Sequence, residues 1–147
     1  MLIKPRPYQE EAVQSVFDYF SSKFGNPLIL MPTATGKSVV IARLLERIFA
    51  SYPRQKVLVC THVKKLIQQN HAKLLSMWPN APAGIYSSGL NKRDVHHRII
   101  FCGIASIVKP IEEFGHVDLL IVDEADLISQ NEASMYQLAI AALKTRN

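Results

Sequence analysis

The chain has 147 residues, 48% of them hydrophobic and 20% charged, and its 17 Lys and Arg against 12 Asp and Glu give a formal net charge of +5. That is enough chain for one core, read as a single domain over 1–147, and too apolar for a disordered tail. The basic balance favours polyanionic partners, no apolar run approaches the roughly 18 residues of a membrane span, and MLIKPRPYQE lacks the apolar core of a signal peptide, so a cytoplasmic protein with no membrane partner is expected.

Pro7 followed by YQEEAVQSVFDYFSSKF predicts a first helix: Pro suits the first turn, acids follow it and Gly25 stops it. Ala12, Val13, Val16, Phe17 and Phe20 fall on one face of it. Leu28–Met31 reads as a short apolar strand, and Ser38 to about Ala50 as a helix with Val39, Val40, Leu44 and Ile48 facing inward. KVLVCTH (Lys56–His62) is a strand, and VKKLIQQNHAKLLSMW a helix ended by Pro79. A weaker strand lies at Gly84–Ser87. RIIFCGI (Arg98–Ile104) is another strand, followed by a short helical turn broken by Pro110. Leu119–Val122 is the most apolar strand, and a last helix runs from about Glu132 to Leu143. Strands apolar at every position are buried on both faces, and their alternation with helices predicts an α/β fold, a parallel sheet covered by helices on both sides. Cys60 and Cys102 lie inside apolar runs with no Cys or His at ligand spacing, which predicts reduced core thiols and no structural metal.

An apolar strand, a turn containing Gly, and Gly36-Lys37-Ser38 opening a helix form the context of a phosphate-binding loop. Turn N–H groups and a helix amino terminus present partial positive charge to phosphate oxygens. Gly36 lets the backbone come close, Lys37 can reach the β and γ phosphates, and the Ser38 hydroxyl can ligate Mg²⁺. Met31 and Ala34 stand where such loops usually carry Gly, so the match is partial; the competing reading is a chance strand–turn–helix with a surface lysine. A second motif weighs against chance. Leu119–Val122 runs into Asp123-Glu124-Ala125-Asp126, and carboxylates at the carboxyl end of a buried parallel strand stand where α/β folds place ligands. Asp123 can hold Mg²⁺ directly or through water, and Glu124 can orient and deprotonate the attacking water, the division of labour that phosphoryl transfer to water needs. A solvated helix start is the bland reading of the same acids.

With these residues the chain resembles the superfamily 2 helicases of the DEAD box, a box spelled literally here. The resemblance implies a RecA-like P-loop NTPase domain that uses ATP and Mg²⁺. RPYQ (Arg6–Gln9) is similar to the Q motif, which carries adenine reading over to Gln9, with Arg6 and Tyr8 shaping the base pocket. PTATGKS is similar to motif I, so the resemblance spreads the ATP site over Pro32, Thr33, Ala34, Thr35, Gly36, Lys37 and Ser38. CTHVKKLIQQN (Cys60–Asn70) resembles motif Ia, a nucleic-acid backbone contact, at Thr61, His62 and Lys64. SSGLNKRD (Ser87–Asp94) and CGIASIV (Cys102–Val108) resemble later strand-contacting motifs and suggest Arg93 and Ser106, with Ala105 where the family often has Gln. The motif order looks closest to the RadD-like branch of DNA-repair helicases.

The resemblance also implies a longer motor. Motif III and a second RecA-like domain with arginine fingers are expected as partners of this amino-terminal piece, and its sheet is expected to be incomplete on the carboxyl-terminal side. This piece alone is expected to turn over ATP very slowly. Lys64, Lys65, Lys73, Lys92, Arg93 and Arg98 are candidate phosphate contacts, each weighed against ordinary solvated charge. His96-His97 reads as a loop pair, and Trp78 and Phe101 as packing residues. The function these observations support is a DNA helicase or translocase motor, DNA being favoured over RNA. A non-catalytic nucleic-acid-binding module of the same fold is the alternative, and restriction-enzyme motor subunits and chromatin-type translocases share the motifs. A kinase is disfavoured by RPYQ and motif Ia.

Overall fold

The computed structural model describes residues 4–29, 31, 36–124 and 129–144. The chain forms two compact units, residues 1–53 with 72–80 and residues 54–71 with 81–147.

The first unit contains helices α1 (Pro7–Ser22) and α2 (Lys37–Ser51). Pro7 opens α1, and Gln9 Oε1 accepts the Arg6 N–H at 2.8 Å, the reciprocal half of a capping box. The buried strip of α1 is Gln9, Val13 and Val16, narrower than the predicted face. Phe17 is half-buried beneath the Arg47 guanidinium, 4.4 Å from its ring centre, while Phe20 is exposed. Among the described elements α2 is the one that packs extensively along α1, and a strip is covered. Arg43 Nε to Glu10 Oε1 (2.9 Å) and Arg47 Nη2 to Gln14 Oε1 (2.8 Å) line the rim of that contact. Partly solvated pairs of this kind contribute at most about 1 kcal/mol each. The predicted inner face of α2 is extended by Ile41, Ala42, Leu45 and Phe49, so the helix is covered on more than one side. Trp78 packs against Phe49 with ring centres 6.0 Å apart, as its packing role predicted. Leu28, Ile29 and Met31 form no strand, contrary to expectation. An apolar run becomes a strand only where an edge offers partners for its N–H and C=O groups, and the run itself does not supply that edge.

The second unit is a five-stranded sheet ordered β3-β2-β4-β1-β5, with β1 Val57–Thr61, β2 Ala83–Ser87, β3 Lys92–Arg93, β4 Ile99–Gly103 and β5 Leu119–Val122. All pairings are parallel except β3 on β2. Val57 stands opposite Ile99 on one side and Leu119 on the other. β1 is buried at every position, whereas β5, at one edge of the sheet, is half-buried throughout. β3 was not foreseen. A 3-10 turn at Ser88–Leu90 and left-handed Asn91 (φ 53°) reverse the chain after β2, and two exposed basic residues then close that edge. Charge on an edge strand discourages pairing with another chain.

Alternation along the strands sends Leu58, Cys60, Ile100 and Cys102 to one face, in a cluster with Ile104, Ile107, Phe114, Tyr136, Ala139 and Leu143. These last come from the single helical turn α4 (Ile104–Ile107), the 3-10 turn Ile111–Phe114 and helix α5 (Gln130–Lys144). Phe101 points to the other face, where the His71 ring of helix α3 (Lys64–Met77) meets it edge-on at 5.7 Å. The sheet is therefore covered on both sides, as expected. Ser129 Oγ accepts the Glu132 N–H (3.2 Å) and donates to Glu132 Oε1 (2.7 Å), an N-cap that starts α5 two residues before the predicted position. Cys60 and Cys102 are free and buried, their sulfurs 2.8 Å apart, and burial pushes the Cys102 thiol well above its ordinary pKa.

Candidate nucleotide and nucleic-acid sites

In the first unit Lys37 and Ser38 form the opening residues of α2. Gly36 before them is left-handed (φ 77°, ψ 49°), and its carbonyl accepts the N–H groups of Val39 and Val40 at 3.0 and 3.2 Å. The left-handed backbone favours glycine there, and a Cβ would stand 2.4 Å from Gln9 Nε2, so a side chain would also push the end of the Gln9 amide aside. Gln9 is buried, and its Nε2 lies 3.5 Å from Gly36 O while its Oε1 holds the Arg6 N–H. The amide expected to read adenine thus ties the start of α1 to the start of α2. Arg6 and Tyr8 flank it in exposed positions. Pro32, Thr33, Ala34 and Thr35 lie outside the described residues.

In the second unit Asp123 follows β5, its N–H bonded to Cys60 O at 2.8 Å, which extends the β1–β5 ladder by one step. The carboxylate is buried. Oδ2 accepts from Asn70 Nδ2 at 2.8 Å and Oδ1 from the Glu124 N–H at 2.9 Å. Glu124 adopts left-handed backbone (φ 57°), at a cost of about 1–2 kcal/mol for a residue with a side chain. Ala125 and Asp126 lie outside the described residues. Each Asp123 oxygen has accepted one hydrogen bond and keeps a second acceptor site. The Asp123 carboxylate of this unit is a hard oxygen donor of the kind Mg²⁺ prefers, as is the Ser38 hydroxyl of the other, so each residue type fits. Among the described residues no cluster of three or more His, Cys, Asp or Glu could cage a metal.

Thr61, His62 and Lys64 line one cavity of about 300 Å³ together with Ser87, Gly103 and Glu132. Thr61, Ser87 and Gly103 end β1, β2 and β4, so this is the carboxyl edge of the sheet, where α/β folds bind ligands. Thr61 Oγ1 accepts the Val63 N–H at 3.2 Å, which turns the chain out of β1. His62 Nδ1 faces Glu132 Oε2 at 3.4 Å. Gly89 leaves room for the Lys64 stem, whose Cδ would be 3.3 Å from a Cβ there. Ser106 is held by Ser88, accepting its N–H at 3.0 Å and sharing a hydroxyl contact at 2.9 Å. Arg93 is not with this group. It lines a separate cavity of about 530 Å³ with Gln68, His71, Lys92 and Asp94. Burial raises the Asp94 pKa, but hydrogen bonds from the His97 and His96 N–H groups and the His97 ring outweigh it and hold the carboxyl below its ordinary range. The loop pair His96-His97 serves that carboxylate.

Asn70, Glu132 and Ser88 were not singled out from the sequence. Glu132 carried one readable signal, its place three residues after Ser129, while Asn70 stood unremarked at the end of the motif Ia segment.

The family model described as "Type III restriction enzyme, res subunit" matches residues 2–146. Over 78 residues, 53% of this chain, the sequence is 32% identical to the UvrABC system protein B of Aster yellows witches'-broom phytoplasma (strain AYWB) and to that of Onion yellows phytoplasma (strain OY-M); the match spans 11% of each of those proteins. Among solved structures, the UvsW helicase from bacteriophage T4 aligns with 96% of this chain and 49% of its own, with a TM-score of 0.72 and 23% identity. The type ISP restriction-modification enzyme LlaGI, a nuclease-deletion mutant in complex with a DNA substrate mimic, aligns with 88% of this chain and 16% of its own, with a TM-score of 0.63 and 15% identity. At such identities the likeness to the two structures is one of fold. No helix among the described residues is long and apolar enough to cross a membrane.

Proposed function

We propose that this chain, which belongs to the type III restriction enzyme res subunit family and has the fold of the amino-terminal RecA-like domain of superfamily 2 helicases, is the ATP-binding half of a DNA-translocating motor. The observation that carries this is the start of α2: a left-handed glycine set against the Gln9 amide delivers Lys37 and Ser38 at a helix amino terminus. Lys37 contacts the β and γ phosphates, and Gln9, Arg6 and Tyr8 form the base end of the site with the Pro32–Thr35 segment completing the loop. Ser38 of the first unit and Asp123 of the second are the oxygen donors that would serve magnesium, which would neutralise phosphate charge. Glu124 orients the attacking water and takes its proton. Thr61, His62, Lys64, Ser106 and Arg93 contact the nucleic-acid backbone, and the DNA substrate mimic bound by LlaGI favours DNA over RNA.

Movement along DNA requires a second RecA-like domain that closes on the nucleotide and supplies arginine fingers, worth about 10³–10⁵ in rate in related NTPases. The 147 residues alone therefore hydrolyse ATP slowly. The parent is a restriction-enzyme motor subunit or a repair helicase of the RadD-like kind, acting in the cytoplasm. Met31 and Ala34 favour a non-catalytic module instead, but Lys37, Ser38, Asp123 and Glu124 are all retained, as hydrolysis demands. ATPase turnover of the full-length protein, measured with and without single-stranded DNA or RNA, is the test. Stimulation by DNA, abolished by Lys37→Ala while DNA binding persists, is the expected result. Turnover indifferent to both polymers rules out the motor.

A further inference from the structure

Asn70 is buried on α3, and its one long-range hydrogen bond goes to a carboxylate: Nδ2 donates to Asp123 Oδ2 at 2.8 Å. Ionised, that carboxylate only accepts, so the amide must present its NH₂ group and not its carbonyl. Ile67 and Asn70, both buried, stand three residues apart on one helical face, and an amide on such an apolar strip is costly unless a partner meets it. The partner is the residue assigned to magnesium. Two donors from different elements, Asn70 of α3 and the N–H of Glu124 after β5, take one oxygen each and so set the plane of the carboxylate. Rotation about its bonds would break both contacts.

We propose that Asn70 is a positioning residue for Asp123, orienting the carboxylate so that its remaining acceptor sites face the metal. This rests on the reading of Asp123 as a magnesium ligand. Partners of metal ligands commonly change metal affinity or activity 10–100-fold when removed.

The test uses the full-length protein, a fluorescent non-hydrolysable ATP analogue and a magnesium chloride titration. Asn70→Leu is expected to raise the magnesium concentration at half-saturation about 10–100-fold, with analogue affinity in EDTA unchanged. A merely structural Asn70 would leave that split unmoved. Asn70→Leu at the wild-type magnesium requirement, with Asp123→Ala raising it, overturns the inference and leaves the magnesium reading standing. An unchanged requirement in Asp123→Ala overturns both. Should Asn70→Leu not fold, nitrogen-15 NMR of the unaltered protein decides: the Asn70 side-chain amide is protected from exchange and shifts when magnesium joins the analogue. An amide that exchanges freely or does not shift overturns the inference.

Discussion

Gly36, Gly115 and Glu124 all hold positive φ, and the reasons differ. At Gly36 a side chain meets both an unfavourable backbone region and the Gln9 amide, whereas nothing lies within 4 Å of a Cβ at Gly115. Gly115→Ala is therefore expected to cost about 1–3 kcal/mol from backbone conformation alone, since φ 70° with ψ −144° is a region essentially confined to glycine. Gly36→Ala is expected to cost about 1–2 kcal/mol for its left-handed backbone and to displace the Gln9 amide, so that nucleotide affinity falls there and not in Gly115→Ala; urea denaturation of both variants, paired with nucleotide titration, checks the split. Glu124 is the reverse case, a residue with a side chain kept where glycine would be relaxed. Glu124→Gly is expected to abolish hydrolysis while relieving the left-handed backbone cost, so that any fall in melting temperature is small. A large drop in melting temperature would show that the side chain is retained for stability.

Helix α3 and strand β4 meet through His71 and Phe101. Burial lowers the His71 pKa, opposed by a backbone hydrogen bond at Ala83 and reinforced by the nearby positive charges of Lys92 and His97. The folded state thus holds His71 neutral more firmly than the unfolded chain does. Its contribution to stability is full above about pH 6.5, the unfolded pKa, and is lost as pH falls toward the lower folded value. Chemical denaturation between pH 7.5 and 5 is expected to show a loss on acidification that is smaller in His71→Gln. Phe101, its partner, is among the largest fully buried side chains. Phe101→Ala is expected to destabilise by about 3–5 kcal/mol, read from the denaturation midpoint, because a cavity opens in a sheet covered on both sides.

The excess of positive charge acts over the whole molecule. Backbone phosphates release condensed counterions when Lys or Arg meets them, so DNA affinity is expected to fall linearly with salt on logarithmic axes. Exposed Lys64, at the mouth of the cavity that ends β1, β2 and β4, is the cation best placed to contribute. Lys64→Ala is expected to weaken binding evenly across DNA sequences and to reduce the salt slope by about one. An unchanged slope, measured by fluorescence anisotropy over a salt series, would make Lys64 ordinary solvated charge.

Local periodicity and composition alone determined the long helices and the strands β1, β4 and β5 and marked GKS and DEAD as motifs, because an apolar period or a phosphate-loop spacing is written in neighbouring residues. Tertiary structure decided the rest. Lys92–Arg93 is too short and too polar to announce a strand and becomes one only because β2 offers an edge, whereas the more apolar Leu28, Ile29 and Met31 are in no strand and Leu30 between them lies outside the described residues. Asn70 meets Asp123 from 53 residues away, and Glu132 meets His62 only once α5 has crossed to the end of β1. No local pattern encodes such pairs: each partner is fixed by how the chain returns to the sheet, and the free energy that holds them belongs to the packed core, not to either segment.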